Sequence, residues 1–283
     1  MPALNHKQFG RVIMVVSILG CGWLGSALGK YLVENGYQVN GSVTKPAKLS
    51  LLANIGIQSF LLEITDVMAI DPSSAFWDCD ALIISSNVKL DSNAGYLKGL
   101  KAVAEILRSK KIKRVVVVSS TSVYGEPNSV IDENAPTQPD TSSGKRLVEI
   151  EAIFQHITGT QTTVMRCGGL VGPARLPGSF LAGRKNVPNG LAPVNLIHLT
   201  DCIGLIECLL QTEKHVTVLN AVSPDHPSRT DFYTQAAAAQ RLPLPEFISE
   251  KTSWKIVNSL GAEILGYKYQ ISDWAGWLKE IKG

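Results

Sequence analysis

The stretch Val12-Ile13-Met14-Val15-Val16-Ser17-Ile18-Leu19-Gly20-Cys21-Gly22-Trp23-Leu24-Gly25 decides the fold. Its first part, Val12–Leu19, is an uncharged and mostly apolar run of strand length. Beyond it, Leu24, Ala27, Leu28, Tyr31 and Leu32 recur at helical spacing and predict a helix over Leu24–Asn35. Between strand and helix stands a G-x-G-x-x-G turn, which is a weak signal alone and a specific one in this context. Gly20 permits the tight turn, Gly22 lets backbone approach a pyrophosphate, and Gly25 lets helix and strand pack closely. The backbone N–H groups of Gly22, Trp23 and Leu24 at the helix start would then hold the anion. A glycine turn without a ligand is the competing reading.

Lys7 and Arg11 ahead of an uncharged Val12–Gly29 also imitate a secretory signal. Gly20, Gly22, Gly25 and Gly29 would interrupt such a helix, so strand and turn explain the residues better. No later segment reads as membrane-spanning, and a cytoplasmic location is expected. Among the 283 residues 45% are hydrophobic and 18% charged, which excludes disorder. A net charge of +3 without a basic run argues against nucleic acid as a partner. Cys21, Cys79, Cys167, Cys202 and Cys208 show no metal-ligand spacing, so free thiols and no metal site are expected.

Outward from the glycine turn, apolar runs alternate with amphipathic ones. Further strands are predicted at Tyr37–Val43, Gln58–Leu62, Ala81–Ser85, Arg114–Ser119, Thr162–Arg166 and Val216–Asn220. The unbroken run Val115-Val116-Val117-Val118 is that of a strand buried on both faces of a parallel sheet. Helices are predicted at Ala47–Asn54, Tyr96–Lys110, Ser143–Ile157, Cys202–Leu210 and Thr230–Gln240, the last opened by Ser228 with Asp231 as a capping box. The alternation implies an α/β fold, a Rossmann-type doubly wound parallel sheet. Glycine and proline become frequent after Arg166. The expected division is a dinucleotide-binding domain over 1–166, then a mixed segment over 167–283. That segment adds late sheet elements and a small substrate-binding part.

The segment after the second strand discriminates between cofactors. NAD enzymes commonly place an acid there to hold the ribose hydroxyls. Here Thr44, Lys45 and Lys48 stand instead, which favours NADP over NAD. The alternative is that both lysines are merely solvated. Glu63 and Asp66 close the third strand, where either approaches the adenine or caps a loop.

The run Val117-Val118-Ser119-Ser120-Thr121-Ser122-Val123-Tyr124-Gly125 resembles the extended short-chain dehydrogenase/reductases, the epimerases and dehydratases of nucleotide sugars. The resemblance extends through Glu133, Pro136, Gly144-Lys145 and Arg166-Cys167-Gly168-Gly169-Leu170-Val171-Gly172-Pro173. It continues to Val194-Asn195-Leu196-Ile197-His198, Asp201 and Leu265-Gly266-Tyr267. The turn spacing and short C-terminal part are similar to the family's atypical branch. The resemblance implies that Ser85 and Ser86 lie beside the cofactor, and that Ser120 is the active-site hydroxyl. It further implies that Lys145 binds the nicotinamide ribose, and that Cys167 and Gly168 lie near the nicotinamide. Ser122, Arg175 and Arg184 are candidates for substrate contact, the arginines because their forked donors suit a diphosphate.

The family's acid/base is a Tyr four residues before the Lys, and here that position is Thr141. A Thr hydroxyl cannot serve as a base near neutral pH. The expected substitutes are Tyr124, a substrate group or water held by Ser120. Asn93 or Tyr96 would supply the family's Asn position. Two functions follow as expectations: an NAD(P)-dependent oxidoreductase or epimerase on a nucleotide-sugar-like small molecule, or a dinucleotide-binding sensor without hydride chemistry. A homodimer packed through Tyr96–Lys110 and Ser143–Ile157 is the expected assembly. The apolar stripe Leu147, Val148, Ile150, Ile153, Phe154 and Ile157 motivates it. His198 and Trp254, Trp274 and Trp277 are read as structural.

Overall fold

The computed structural model describes residues 13–65, 67–85, 94–155 and 157–281. In chain order the strands are β1 (Val15–Leu19), β2 (Gln38–Val43), β3 (Gln58–Leu61), β4 (Ala81–Ile84), β5 (Arg114–Ser120), β6 (Ser129–Ile131), β7 (Gln161–Cys167), β8 (Gly169–Val171), β9 (Leu196–His198), β10 (Val218–Ala221) and β11 (Lys255–Val257). The helices are α1 (Trp23–Glu34), α2 (Leu49–Ala53), α3 (Ala94–Lys110), α4 (Ser142–Gln155), α5 (Gly178–Leu181), α6 (Leu199–Gln211), α7 (Arg229–Ala239), α8 (Leu260–Leu265) and α9 (Trp274–Glu280). Val12, Asp66, Ser86 and Asn93 lie outside the described residues.

Each of the seven runs predicted as strands enters one parallel sheet in the order β10-β7-β5-β4-β1-β2-β3. The chain runs outward from β1 to β3, then crosses back to add β4 on the other side of β1. That reversal opens a crevice at the carboxyl ends of β1 and β4, where such sheets bind ligands. Alternate residues of each strand face opposite sides. Val16, Ile18, Ile83 and Val116 meet Leu24, Leu28, Leu205 and Ile206 of α1 and α6. Leu19, Leu82, Val115 and Val117 meet Leu100, Leu107, Ile150 and Phe154 of α3 and α4. Both faces are thus covered, as the continuous valine run requires.

After Cys167 the chain returns twice to the sheet, with α6 on one face and β10 hydrogen-bonded to β7. The remaining elements form a smaller layer around Val171, Val194, Phe232, Trp274 and Leu278. Two short parallel ladders, β6 with β11 and β8 with β9, tie this layer to the strand ends. Three-residue strands carry too little periodicity to be read from sequence. Ser228 caps α7 as expected, its Oγ accepting from the Asp231 amide at 3.0 Å. The expected stripe on α4 is largely used within the chain. Ile150, Phe154 and Ile157 face the sheet, and Leu147 and Val148 pack on Tyr124 and its neighbours.

The helix α4 is fastened to the sheet by a buried ion pair. Arg166 on β7 donates through Nη2 to Glu151 Oε2 at 2.7 Å, with the two side chains 6% and 3% exposed. Ser119 on β5 donates to the other carboxylate oxygen at 2.5 Å. Removing one partner of such a pair leaves an uncompensated buried charge. Arg166→Met should therefore lower stability by about 3–5 kcal/mol, while Arg166→Met combined with Glu151→Leu recovers most of the loss. Urea denaturation of the single and double variants tests this; additive losses would contradict it.

Candidate functional site

At the end of β1 the chain turns on Gly20, whose φ of 97° suits glycine. The Gly22 amide closes the turn onto the Gly20 carbonyl at 2.9 Å. A Cβ on Gly25 would lie 2.4 Å from that same carbonyl, so helix and turn meet at a distance only glycine allows. A Cβ on Gly22 would meet nothing within 4 Å. The turn is thus closed toward the protein and open toward solvent. The first turn of α1 carries no acid, and Gly22 offers no side-chain cap. The first amides of the helix, those of Trp23 and Leu24, remain available to an anion. Trp23 and Leu24 begin the helix, Leu24 buried and Trp23 half-buried. This cradle fits a dinucleotide pyrophosphate.

Ser42, which sequence reasoning did not single out, fixes the cradle. Its Oγ accepts from the Gly20 amide at 2.9 Å, and its carbonyl accepts from Cys21 at 2.8 Å. The sequence does not mark it out, because Gln38 and Asn40 are polar residues of the same strand. Just beyond, Thr44 and Lys45 are exposed, as is Lys48. Glu63 accepts from the Thr65 hydroxyl at 2.8 Å and so caps its loop. Ser85 follows β4, its amide bonded to the Leu19 carbonyl at 2.9 Å, beside the glycine turn.

Further along the same edge, Ser120 and Cys167 are register partners at the ends of β5 and β7. Ser120 Oγ accepts from the Ser122 amide at 3.2 Å, which leaves its own proton free to donate. Cys167 is 3% exposed, with its Sγ 3.9 Å from the Cys202 Sγ; all five thiols are free. The contact with the neighbouring Cys167 thiol, and then burial, push the Cys202 thiol well above its ordinary range. Gly168 is pressed so closely on Asn195 that a Cβ would lie 2.6 Å from its carbonyl.

The first turn of α4 rests against the segment after Ser120. A Cβ on Gly144 would lie 2.8 Å from the Ser122 carbonyl, so no larger residue fits. Thr141 is the cap of this helix, its Oγ1 accepting from the Gly144 amide at 3.0 Å. Lys145, one residue further, is exposed. It does not pair with Glu149, which reaches Arg146 at 4.0 Å instead. The ammonium therefore has no carboxylate partner among the described residues.

Tyr124, the expected substitute acid/base, is held inside the protein. It is 2% exposed. Its hydroxyl donates to Asn220 Oδ1 and accepts from Arg166 Nη1, both at 2.8 Å. Burial pushes its pKa up, although Arg166 beside it pulls the other way. Both hydrogen-bonding roles of the hydroxyl are thus taken inside the protein. Valine, tyrosine and glycine in a row gave no sign of this, because the partners come from β7 and β10.

Arg175 lies against the cofactor turn. Its guanidinium carbon is 5.6 Å from the centre of the Trp23 ring, and its Nε donates to the Leu170 carbonyl at 2.8 Å. Arg184 is exposed on the loop after α5. His198 caps α6, its Nδ1 accepting from the Thr200 amide at 3.2 Å, and its ring meets Trp277 edge-on. Glu133 caps α8, accepting from the Leu260 and Gly261 amides at 2.8 and 3.0 Å. Among the described residues no cluster of His, Cys, Asp or Glu is placed to hold a metal, and no helix is long and apolar enough to cross a membrane.

Cradle, strand order and edge serines together define a Rossmann-type dinucleotide-binding protein. The model of the NAD(P)H-binding family matches residues 20–177, and the chain belongs to that family. Protein YeeZ of Escherichia coli (strain K12) is 37% identical over 265 residues, covering 91% of this chain and 96% of that protein. Among solved structures, UDP-glucuronic acid 4-epimerase from Bacillus cereus in complex with NAD has TM-score 0.77 at 19% identity, covering 94% of this chain and 96% of that one. The Bordetella bronchiseptica enzyme WbmG, in complex with NAD and UDP, has TM-score 0.79 at 17% identity, covering 95% and 94%. A functionally unknown conserved protein from Silicibacter pomeroyi DSS also has TM-score 0.79, at 21% identity with 94% and 97% covered. The fold is that of the epimerase/dehydratase short-chain dehydrogenase/reductases.

Tyr124→Phe would leave Arg166 Nη1 and Asn220 Oδ1 each short of a partner. The expected loss is about 1–3 kcal/mol of folding stability, with dinucleotide affinity unchanged. Denaturant midpoints and calorimetric titration read the two effects separately. Unchanged stability would show that the hydroxyl is not part of the buried network.

Proposed function

We propose that this chain is an NAD(P)-dependent oxidoreductase or epimerase acting on a nucleotide-sugar-like small molecule. The observation that carries the reading is the unpaired Lys145 ammonium on the helix turn that rests against the Ser120–Tyr124 segment. A charge so placed, with no carboxylate partner among the described residues, suits a ribose hydroxyl and a neighbouring oxyanion. The nicotinamide ring, when bound, supplies the acceptor or donor of hydride.

In this reading the glycine turn holds the pyrophosphate, and Ser85 borders the dinucleotide. Cys167 and Gly168 close the nicotinamide end. Lys145 binds the ribose. Ser120 relays the proton between the substrate oxygen and water, to the oxygen in reduction and away from it in oxidation, as hydride joins or leaves the carbon that bears that oxygen; Ser122 stands beside it. Because Thr141 caps α4 and Tyr124 is buried, water held at Ser120 completes the proton path. Arg184 is the candidate for the substrate's anionic part. A dinucleotide sensor without hydride chemistry is the second reading. It is favoured by the absence of a phenol at position 141 and by the burial of Tyr124.

Incubation with a panel of nucleotide sugars, following cofactor absorbance and sugar stereochemistry, separates the two. Once turnover is found, Ser120→Ala should slow it by about 10²–10⁴, the scale of lost proton transfer. Lys145→Ala should weaken both turnover and dinucleotide binding. Tight dinucleotide binding with no turnover on any substrate would favour the sensor.

NADP is the proposed cofactor, because the segment after β2 offers Lys45 and Lys48 where an acid would repel the 2′-phosphate. Calorimetry should give tighter binding of NADP than of NAD, and Lys45→Ala should narrow the difference. Equal affinities in the unmodified chain would refute this preference.

A further inference from the structure

Arg175 stands at the junction of two parts of the molecule, the cofactor turn and the loop that follows β8. The segment Gly172–Arg175 is a tight reversal in which the two end residues exchange backbone hydrogen bonds of 3.0 and 3.3 Å. Ala174 within it has a φ of 59°. This reversal is fixed on Trp23, whose Nε1 donates to the Pro173 carbonyl at 2.7 Å. A Cβ on Gly172 would lie 3.4 Å from the Trp23 ring and 2.9 Å from the Leu199 Cβ, so the contact is close-packed. Trp23 is itself the first residue of α1, adjacent to the open Gly22.

The guanidinium of Arg175 is held on two sides. The indole lies on one, at 5.6 Å, and the Leu170 carbonyl takes Nε. Neither contact uses the two terminal nitrogens, which have no hydrogen-bond partner among the described residues. No carboxylate among the described residues pairs with Arg175 either. A planar cation held by its ring contact and by Nε, with its terminal donors free, is pre-organised for a phosphate. The nearest place built for a phosphate is the start of α1.

We propose that Arg175 binds the cofactor's pyrophosphate, closing over the glycine turn from the opposite side to the helix amides, with Trp23 as the spacer. This rests on the dinucleotide reading above, and it assigns Arg175 to the cofactor instead of the substrate. It also gives the loop after β8 a reason to respond to the cofactor. The pyrophosphate ties the loop to α1 through one side chain, so that dinucleotide binding orders one wall of the substrate side.

The test titrates NADP, NAD and adenosine 2′-monophosphate into the unmodified chain, Arg175→Ala and Arg175→Lys. Arg175→Ala should weaken NADP and NAD by the same factor, about 10-fold, the scale of one partly exposed charge-assisted bond. Adenosine 2′-monophosphate, which has no phosphate at the turn, should bind both chains alike. Arg175→Lys should fall between, keeping the charge and losing the fork. Hydrogen exchange supplies a readout independent of activity. Dinucleotide should protect the amides of Gly172, Ala174, Arg175 and Leu176 in the unmodified chain and not in Arg175→Ala. Undiminished NADP binding by Arg175→Ala overturns the proposal, as does an equal loss for adenosine 2′-monophosphate, which would mark a structural role. An unmodified chain that binds no dinucleotide would instead fail the cofactor reading, and the clamp with it.

Discussion

The buried pair of Glu151 and Arg166 is the constraint on which the site's geometry depends. Two charges taken out of water are tolerated only when each is fully hydrogen-bonded. Here the carboxylate takes Arg166 and Ser119, and the guanidinium takes Glu151 and Tyr124. The Tyr124 hydroxyl passes the chain of bonds to Asn220 on β10, whose amide in turn bonds Glu133. One connected network therefore joins α4, β5, β7, β10 and α8. Such a network leaves little freedom to slide α4 along the sheet, because any shift would strand a buried charge. Thr141, which caps α4, and Lys145, on its first turn, inherit their position from it.

The carboxyl edge of the sheet then divides by task. Its β1 end is built for an anion, with open amides, a close glycine contact and Ser42 bracing the turn. Its β5 and β7 ends carry hydroxyl and thiol groups, with an exposed ammonium on the adjacent helix. Two of the protein's phenols are committed to buried partners. Tyr124 is part of the network, and Tyr267 is bonded to the buried Asp201, which also anchors the chain at Gln270 and Ile271. Ser120 stands at the edge with its own proton free to donate, and Lys145 is exposed on the adjacent helix.

The loop after β8 brings the second layer to the cofactor turn. Trp23 does this with one hydrogen bond and one ring face, so a single side chain at the helix start serves both parts. Asn195 plays a comparable part on the other side, binding Lys255 and Val257 of β11 through its amide group at 2.9 and 2.8 Å. These contacts join segments far apart in sequence, as a small second layer without a large core of its own requires.

The sequence by itself determined the sheet and the cofactor turn, because both depend on local periodicity. Apolar runs of strand length, helical spacing between them and three glycines at fixed intervals are read within a window of a few residues. All seven sheet strands were legible for that reason, and so was the capping of α7 by Ser228. Tertiary structure alone decided the fate of Tyr124, the pairing of Glu151 with Arg166, the placing of Arg175 on Trp23 and the short ladders of β6 and β11. Each of these joins residues separated by 15 to 152 positions along the chain. No periodicity records such partners. Whether a hydroxyl faces solvent or a buried guanidinium is set by which strand lies beside it, and that neighbour exists only once the sheet has closed.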